Sequence, residues 1–281
     1  DVVVPVSDRK YHMQTFGTQF DPALSETSAL SRRSKPLKMD IRKLIGRRCV
    51  LELTDGTIVN LGIGLSEIVA AVAYEERIGE TVTFTIEGGV TGGMVLSGVD
   101  FGAAAAPECI MDQASMFDFY DGGGLDEAFL GLAQCDRLGN INVSRFGSRI
   151  AGCGGFIDIR QNAKKVVCCG TFTAKNLEVK AVDGKLVIVR EGEINKFVNE
   201  LVQVTFSSGR ARRSGQEILY ITERAVFEMT ADGIILTEIA PGIDLQKDVL
   251  DHMEFQCAVS KDLKWMDARI FREGKMGLAP H

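Results

Sequence analysis

Short apolar segments alternate along this chain with helical patterns, and clusters of glycine follow several of them. β-Branched residues are frequent in residues 57–61 and 81–86, whereas residues 66–77 between them carry apolar side chains on one helical face. Such alternation predicts an α/β fold, an open and mostly parallel sheet flanked by helices. The Asp183-Gly184 turn predicts a hairpin, and therefore an antiparallel part in the second half.

The same patterns predict further elements after residue 40. The predicted helices cover residues 41–44, 112–119, 125–130, 194–199 and 245–251. The predicted strands cover residues 49–53, 139–144, 155–159, 165–169, 186–190, 201–205, 217–222 and 225–230. Glycines at strand ends favour ligand-binding loops beyond the carboxyl edge of a parallel sheet.

The first forty residues differ from the rest. An apolar run at residues 2–6 opens the chain without a Met, so we expect it to begin inside a longer polypeptide. The polar, basic composition of residues 21–40 predicts a linker. Residues 41–277 form the predicted main domain, and residues 278–281 include a tail with no match to the family described below, expected to be a remnant of protein production.

Composition argues against several partners. The chain has 32 Lys and Arg against 38 Asp and Glu, and this acidic balance disfavours nucleic acid. No apolar run reaches the roughly 18 residues of a membrane span. Seven scattered cysteines without a CxxC pair, and three histidines, disfavour a zinc site or a disulfide framework. Reduced thiols in a cytoplasmic protein are the expectation.

A carboxylate marks the end of the predicted strand 81–86. Glu87 is followed by Gly-Gly-Val-Thr-Gly-Gly, so the backbone can turn tightly and a ligand can approach closely. An uncovered carboxylate there suits a nucleophile or a general base. A glutamate that caps backbone amides in a turn is equally compatible with the spacing.

Two more glycine clusters are expected at the same sheet edge. Residues 60–64 read Asn-Leu-Gly-Ile-Gly between a strand and a helix, where free amides suit a phosphate or a carbonyl oxygen. Residues 152–156 read Gly-Cys-Gly-Gly-Phe, and their amides suit an oxyanion hole. A plain tight turn explains either cluster equally well.

Several segments in a fixed order resemble the β half of family I coenzyme A transferases, most closely the acetate/propionate type in which both halves are fused. The likeness covers nearly all of residues 1–277, and Phe20-Asp21-Pro22-Ala23-Leu24-Ser25 resembles the linker between the halves. The matching segments are residues 60–64, 75–76, 85–93, 139–143, 152–158, 220–227 and 238–244.

The resemblance implies that CoA passes between a short-chain acyl-CoA and a free carboxylate. Glu87 matches the family's nucleophile, which forms an anhydride and then an enzyme glutamyl–CoA thioester. CoA is then a substrate and covalent intermediate, with no permanently bound cofactor and no metal. Asn142 matches an amide donor to the thioester oxygen, although Asn140 is an alternative. The positions expected to bind substrate or CoA are Asn60, Gly62, Gly64, Gly88, Asn142, Gly154 and Gly155.

The resemblance also implies partners. Residues 1–20 would end an amino-terminal α half that the chain otherwise lacks, and the enzyme is expected to be a homo-oligomer. Two rival functions remain at this point, an acyl-CoA hydrolase on the same scaffold and a non-enzymatic domain that senses sugar phosphates. An exposed nucleophile at Glu87 argues against the sensor, and only a carboxylate requirement separates a transferase from a hydrolase.

Overall fold

The computed structural model describes residues 1–26 and 37–278 and shows an α/β protein built on one large sheet. This architecture confirms the predicted fold class. Much of the predicted linker, including its Arg32, Arg33 and Lys35, lies outside the described residues, as do residues 279–281. Within the described ranges, no helix has the length and apolar character needed to cross a bilayer.

Helices and strands alternate along most of the chain. The α-helices are α1 Ile41–Val50, α2 Ile68–Glu76, α3 Gln113–Asp121, α4 Phe156–Gln161, α5 Ser208–Ser214 and α6 Leu245–Asp248. The strands are β1 Ile58–Leu61, β2 Thr83–Thr85, β3 Val90–Thr91, β4 Met94–Val95, β5 Ala104–Ala105, β6 Cys109–Ile110, β7 Glu127–Gly131, β8 Gln134–Cys135, β9 Ile141–Asn142, β10 Arg145–Phe146, β11 Arg149–Ile150, β12 Lys165–Cys169, β13 Thr173–Ala174, β14 Glu178–Val182, β15 Lys185–Arg190, β16 Ile194–Asn195, β17 Glu217–Ile221, β18 Ala225–Thr230, β19 Gly233–Ile239 and β20 Ala258–Trp265. Short 3-10 turns occur at Arg9–Tyr11, Pro22–Leu24, Gly98–Asp100, Leu250–His252 and Ala268–Phe271.

The large sheet has a parallel centre and mainly antiparallel flanks. Its order is β20-β19-β18-β17-β12-β7-β1-β2-β3-β6. The five strands from β17 to β2 run parallel, whereas β18, β19, β3 and β6 join by antiparallel pairing. The carboxyl ends of β2, β1, β7 and β12 therefore meet at one edge, where ligands of open α/β sheets bind.

Helix α1 is longer than the sequence pattern predicts. Asp40 caps it by accepting the Lys43 N–H at 3.1 Å, and the helix continues through Gly46 to Val50. Gly46 does not end the helix. It allows α1 and α2 to pack closely, because a Cβ there would lie 2.7 Å from Ile68 Cγ2 on α2. The predicted strand at residues 49–53 is therefore wrong.

Four other predicted segments differ from the structure. Residues 125–130, predicted as a helix, contain most of β7, a buried central strand whose pairing with β1 and β12 outweighs the helical preference of Glu, Ala and Leu. The predicted helix 194–199 instead contains β16, and the predicted strand 155–159 begins α4. The predicted strand 201–205 forms irregular structure.

A buried lysine lies beyond the carboxyl ends of β7 and β12. Lys196 is 7% exposed, and its ammonium forms no hydrogen bond with any described residue. Its Nζ occupies the space beside Gly170, where a Cβ would approach it to 2.8 Å. Burial lowers the pKa of Lys196 to about 8, although the Glu223 charge opposes this.

We expect Lys196→Met to stabilise the protein, because it keeps the packing and removes a poorly compensated buried charge. The pKa of Lys196 in the folded state lies below its value in the unfolded chain, so the cost is complete at neutral pH and disappears as pH rises from about 8 to 10.5. The expected gain in the free energy of unfolding at pH 7 is about 2–3 kcal/mol. Urea unfolding of both proteins at pH 7 and pH 10 measures it, and an equal difference at both pH values would contradict the explanation.

Candidate active site

A tight hairpin turn holds Glu87. The turn joins β2 to β3 through the four residues 86–89. The Gly89 N–H donates to the Ile86 carbonyl at 2.9 Å, and the Ile86 N–H donates to the Val90 carbonyl at 2.9 Å. Gly89 has a φ of +111°, and a Cβ there would lie 1.9 Å from the Met111 carbonyl oxygen. Only glycine fits this position, so the sequence Glu-Gly-Gly fixes where the carboxylate projects.

The Glu87 carboxyl is half-buried, so it is less exposed to solvent than the glycine-rich sequence predicts. Its Oε2 is buried and has no hydrogen-bond partner among the residues that the structure describes. Burial raises the pKa of Glu87, while its own backbone N–H and the Asn60 side chain oppose that increase. A poorly solvated carboxylate is more reactive as a nucleophile than one surrounded by water.

Asn60 lies on β1 next to this turn. The backbone register pairs it with Thr85 on β2, two residues before Glu87. The fully buried Asn60 donates from Nδ2 to the Tyr120 hydroxyl at 3.0 Å and to the Thr85 carbonyl at 3.3 Å. Burial raises the pKa of Tyr120 to about 12, so this hydroxyl remains protonated at neutral pH.

The loop after β1 does not present free amides at its two glycines. The Gly62 N–H donates to the Phe129 carbonyl at 2.9 Å, and the Gly64 N–H donates to Glu67 Oε1 at 2.6 Å. Neither amide is available to a phosphate in this structure, contrary to one alternative raised by the sequence. Gly88 is exposed on the Glu87 turn, and the space around its Cα is open.

A cavity of about 220 Å³ adjoins the same loop. Arg42 lies at its wall and donates from Nη2 to the Gly64 carbonyl at 2.8 Å. The lining residues are Leu37, Lys38, Asp40, Arg42, Ile68, Ser97 and Gly98. Glu67 lies 4.0 Å from Arg42 and accepts the Gly98 N–H at 2.8 Å, so Lys38 and Arg42 are balanced by Asp40 and Glu67 around this cavity.

The second glycine cluster precedes α4. The amides of Gly154 and Gly155 donate no hydrogen bond within the described part of the chain, and Gly154 has a φ of +52°. Gly155 packs against α3, because a Cβ there would lie 2.9 Å from the Phe117 ring. Phe117 contacts Tyr120 edge to face, so α3 supports both this loop and the Asn60 side chain.

Asn142 has no free donor in this structure. Its Nδ2 donates to Gln134 Oε1 at 2.8 Å and to the Arg145 carbonyl at 2.6 Å, and its Oδ1 accepts two backbone N–H groups. Asn140 binds Asp136 through its Nδ2 and Ser208 through its Oδ1. Asn142 is therefore engaged within its hairpin, and Asn140 links Asp136 to the start of α5. The unpaired amides of Gly154 and Gly155 are the better candidates for an oxyanion.

Sequence patterns did not indicate Tyr120 or Thr85. Both are buried hydrogen-bonding residues beside Asn60, yet Tyr120 lies on a helix 33 residues after Glu87 with no motif around it. An aromatic residue three positions after Phe117 is typical of an ordinary packed helix face. Among the described residues, no group of three or more His, Cys, Asp or Glu is placed to hold a metal ion.

Comparisons with known proteins support the resemblance. The chain is 46% identical to a caffeate CoA-transferase of Acetobacterium woodii, over 99% of this chain and 54% of that protein. It is 32% identical to the acetate CoA-transferase subunit beta of Escherichia coli K12, over 74% of this chain and 89% of that subunit. No model of a protein family matches the chain.

A solved structure agrees. An acyl-CoA transferase from Escherichia coli O157:H7, described as a thioester complex with CoA, superimposes with a TM-score of 0.82 at 43% identity, covering 89% of this chain and 47% of the other. The chain spans about half the length of the first curated relatives it matches.

Proposed function

This chain belongs to the family I coenzyme A transferases as a β-type half, and on that premise we propose that Glu87 carries CoA from a short-chain acyl-CoA to a free carboxylate. The observation that carries the proposal is the half-buried Glu87 carboxyl on its rigid turn, with one buried oxygen that has no partner among the described residues. A nucleophile held in fixed geometry at the carboxyl edge of a parallel sheet is what such chemistry requires.

The reaction is a sequence of acyl exchanges. The Glu87 carboxylate attacks the thioester carbonyl, and the C–S bond breaks to give a mixed anhydride and CoA thiolate. The thiolate then attacks the glutamyl carbonyl, which forms the glutamyl–CoA thioester and releases the first carboxylate. An acceptor carboxylate reverses these steps. Each attack places negative charge on a carbonyl oxygen, and the free amides of Gly154 and Gly155 are the proposed donors to it.

For the acceptor carboxylate, we propose acetate or propionate. Relatives named for acetate and for caffeate both match, so the acceptors to compare are acetate, propionate and caffeate. Intact mass after incubation with acetyl-CoA tests the chemistry, because a covalent CoA adduct that maps to Glu87 is the expected result. Release of free CoA at the same rate without any carboxylate would instead favour an acyl-CoA hydrolase.

We expect residues 1–281 alone not to exchange CoA. The first curated relatives that the chain matches are about twice as long. Apolar side chains near the start of this chain are uncovered, including Val2, Val3 and Phe16 at 89%, 87% and 94% exposure. Exposed apolar patches of this kind mark contact surfaces, here proposed for an amino-terminal half and for a homo-oligomer. The measurement is acetyl-CoA:propionate exchange by the chain alone and after addition of the upstream half. Full activity of the chain alone would refute the two-half arrangement.

A further inference from the structure

The guanidinium of Arg160, near the end of α4, is buried without a hydrogen-bond partner. The residue is 4% exposed, and its Nε and Nη1 are buried atoms that bind no described residue. Nη2 is not one of those buried atoms and also donates no hydrogen bond to a described residue, so it is the part of the guanidinium that reaches solvent. An arginine is rarely buried unless it is paired, because burying an unpaired charge costs free energy.

The other buried arginines in the described part of the chain all have partners. Arg47 donates from Nη1 to the Arg272 carbonyl at 2.6 Å. Arg48 forms an ion pair with Glu238 at 2.8 Å, and Arg224 forms one with the adjacent Glu223 at 2.7 Å. The unpaired cation on α4 is therefore an exception within this protein, and it needs an explanation of its own.

The neighbours of Arg160 do not compensate its charge. Its Cζ lies 4.4 Å from the centroid of the Phe206 ring, an attractive contact with the face of the guanidinium. The N–H bonds point outward in the guanidinium plane, so this contact leaves them unpaired. Burial lowers the pKa of Arg160, and among nearby groups Arg210 lowers it further whereas Cys168 opposes the decrease. Neither of these groups is a carboxylate, and the guanidinium remains charged at neutral pH.

Arg210 places a second cation beside the first. It is exposed on α5, and the Gln161 side chain, with its amide oxygen turned toward α5, accepts from Arg210 Nε at 3.0 Å. Gln216 fixes the end of α4, because its Nε2 donates to the carbonyl groups of Arg160 and Ala163 at 2.7 Å each. Its buried Oε1 has no partner among the described residues, but a neutral oxygen cannot balance a charge. Neutral groups alone thus hold two cations close together.

We propose that Arg160 and Arg210 form a binding site for a phosphate group between α4 and α5. Guanidinium groups present N–H donors in a planar fork that matches phosphate oxygens, and two of them balance the charge of a phosphate dianion. The ligand approaches Nη2, the side of Arg160 that reaches solvent. The phosphate belongs either to inorganic phosphate or to the 3′-phosphate of CoA. The inference goes beyond the proposed function, because neither ligand needs chemistry at Glu87 to bind here.

Binding of inorganic phosphate to the complete enzyme, the chain together with its upstream half, tests the site. Titration followed by phosphorus NMR at constant ionic strength measures the affinity. We expect Arg160→Met to weaken phosphate binding by about tenfold or more, because hydrogen bonds from a charged donor are lost. Methionine keeps an apolar contact with Phe206. Arg210→Met changes an exposed position and should weaken binding by at least about threefold.

Arg213→Met is the matched control. Arg213 is also exposed on α5, but it is not among the groups that influence the pKa of Arg160. This variant removes the same charge from the same helix and should bind phosphate as wild type does. An equal loss of affinity in all three variants would show that phosphate responds only to the net charge of the surface, and it would overturn the proposed site.

Dephospho-CoA, which lacks only the 3′-phosphate, identifies the source of the phosphate. If the site holds the 3′-phosphate, calorimetry should show that wild type binds CoA about tenfold more tightly than dephospho-CoA and that Arg160→Met removes this preference. Equal affinities for the two ligands, with inorganic phosphate still bound through Arg160, assign the site to free phosphate. The proposal is overturned if Arg160→Met changes neither the affinity for inorganic phosphate nor the preference for CoA. Failure to form an adduct on Glu87 would remove the proposed function and leave these binding results unchanged.

Discussion

In the chain combined with its upstream half, Glu87→Gln should lower CoA exchange by more than a hundredfold and abolish the CoA adduct. The amide is nearly the same size and keeps the turn, but it cannot form an anhydride with the acyl group. General acid–base assistance alone contributes about 10²–10⁴-fold, so a larger loss than its lower bound is expected of a covalent nucleophile. Exchange rates and intact masses of wild type and variant provide the measurement, with borohydride cleavage of the wild-type thioester as confirmation.

The matched control is an acid outside the turn. Glu108 is exposed and lies against Gly92 at the base of the same hairpin, so Glu108→Gln should exchange CoA at the wild-type rate. Since burial raises the pKa of Glu87, the acid limb of the wild-type pH–rate profile should lie above 4.5. An adduct that persists in Glu87→Gln would move the nucleophile to another residue.

The second large effect is expected at Gly89. Gly89→Ala places a Cβ 1.9 Å from the Met111 carbonyl oxygen at a φ of +111°, so the turn and strand β6 beyond it cannot keep their positions. We expect a loss of about 3 kcal/mol or more in the free energy of unfolding, from the collision and the left-handed backbone together. Exchange should fall by at least a hundredfold, because the Glu87 carboxyl would be displaced.

A substitution at the neighbouring Gly88 shows whether the close contact at Gly89, or only the glycine content of the turn, determines stability. A Cβ at Gly88 would meet no atom within 4 Å, and Gly88 is not among the residues with positive φ. Gly88→Ala should therefore change the free energy of unfolding by less than about 1 kcal/mol. Urea unfolding of both variants measures this difference. Equal destabilisation would show that the turn depends on flexibility and not on the contact at Gly89.

The parts of the fold that sequence patterns predict are those in which local preference and tertiary environment agree. Strands β12 and β17 consist largely of apolar or β-branched residues in buried positions, and the predictions at 165–169 and 217–222 are confirmed. Strand β7 carries residues that favour helices, and only its place between β1 and β12 makes it a strand. A glycine such as Gly46 can either end a helix or allow another element to pack closely. The contact that shows close packing here is with Ile68, 22 residues later in the chain.

The candidate site also has one part that a sequence pattern predicts and another that depends on tertiary contacts. A contiguous motif of a carboxylate and two glycines makes Glu87 a candidate, and the family resemblance adds the predicted role of nucleophile. Asn60 and Thr85 come together through strand pairing, and Tyr120 reaches them from a helix, so their shared hydrogen bonds exist only in three dimensions. A sequence pattern also does not predict that the Asn142 amide nitrogen donates both of its protons within its own hairpin.

The distribution of thiols makes the site accessible to spectroscopy without added cysteines. Cys49, Cys135, Cys168 and Cys169 are buried, whereas Cys109 and Cys153 are exposed. Cys109 lies on β6, which pairs with the strand after the Glu87 turn, and Cys153 lies in the glycine loop before α4. Alkylating reagents will react first at exposed thiols. Spin labels on this natural pair would report the distance between the two loops, and its change when a ligand binds, by electron paramagnetic resonance.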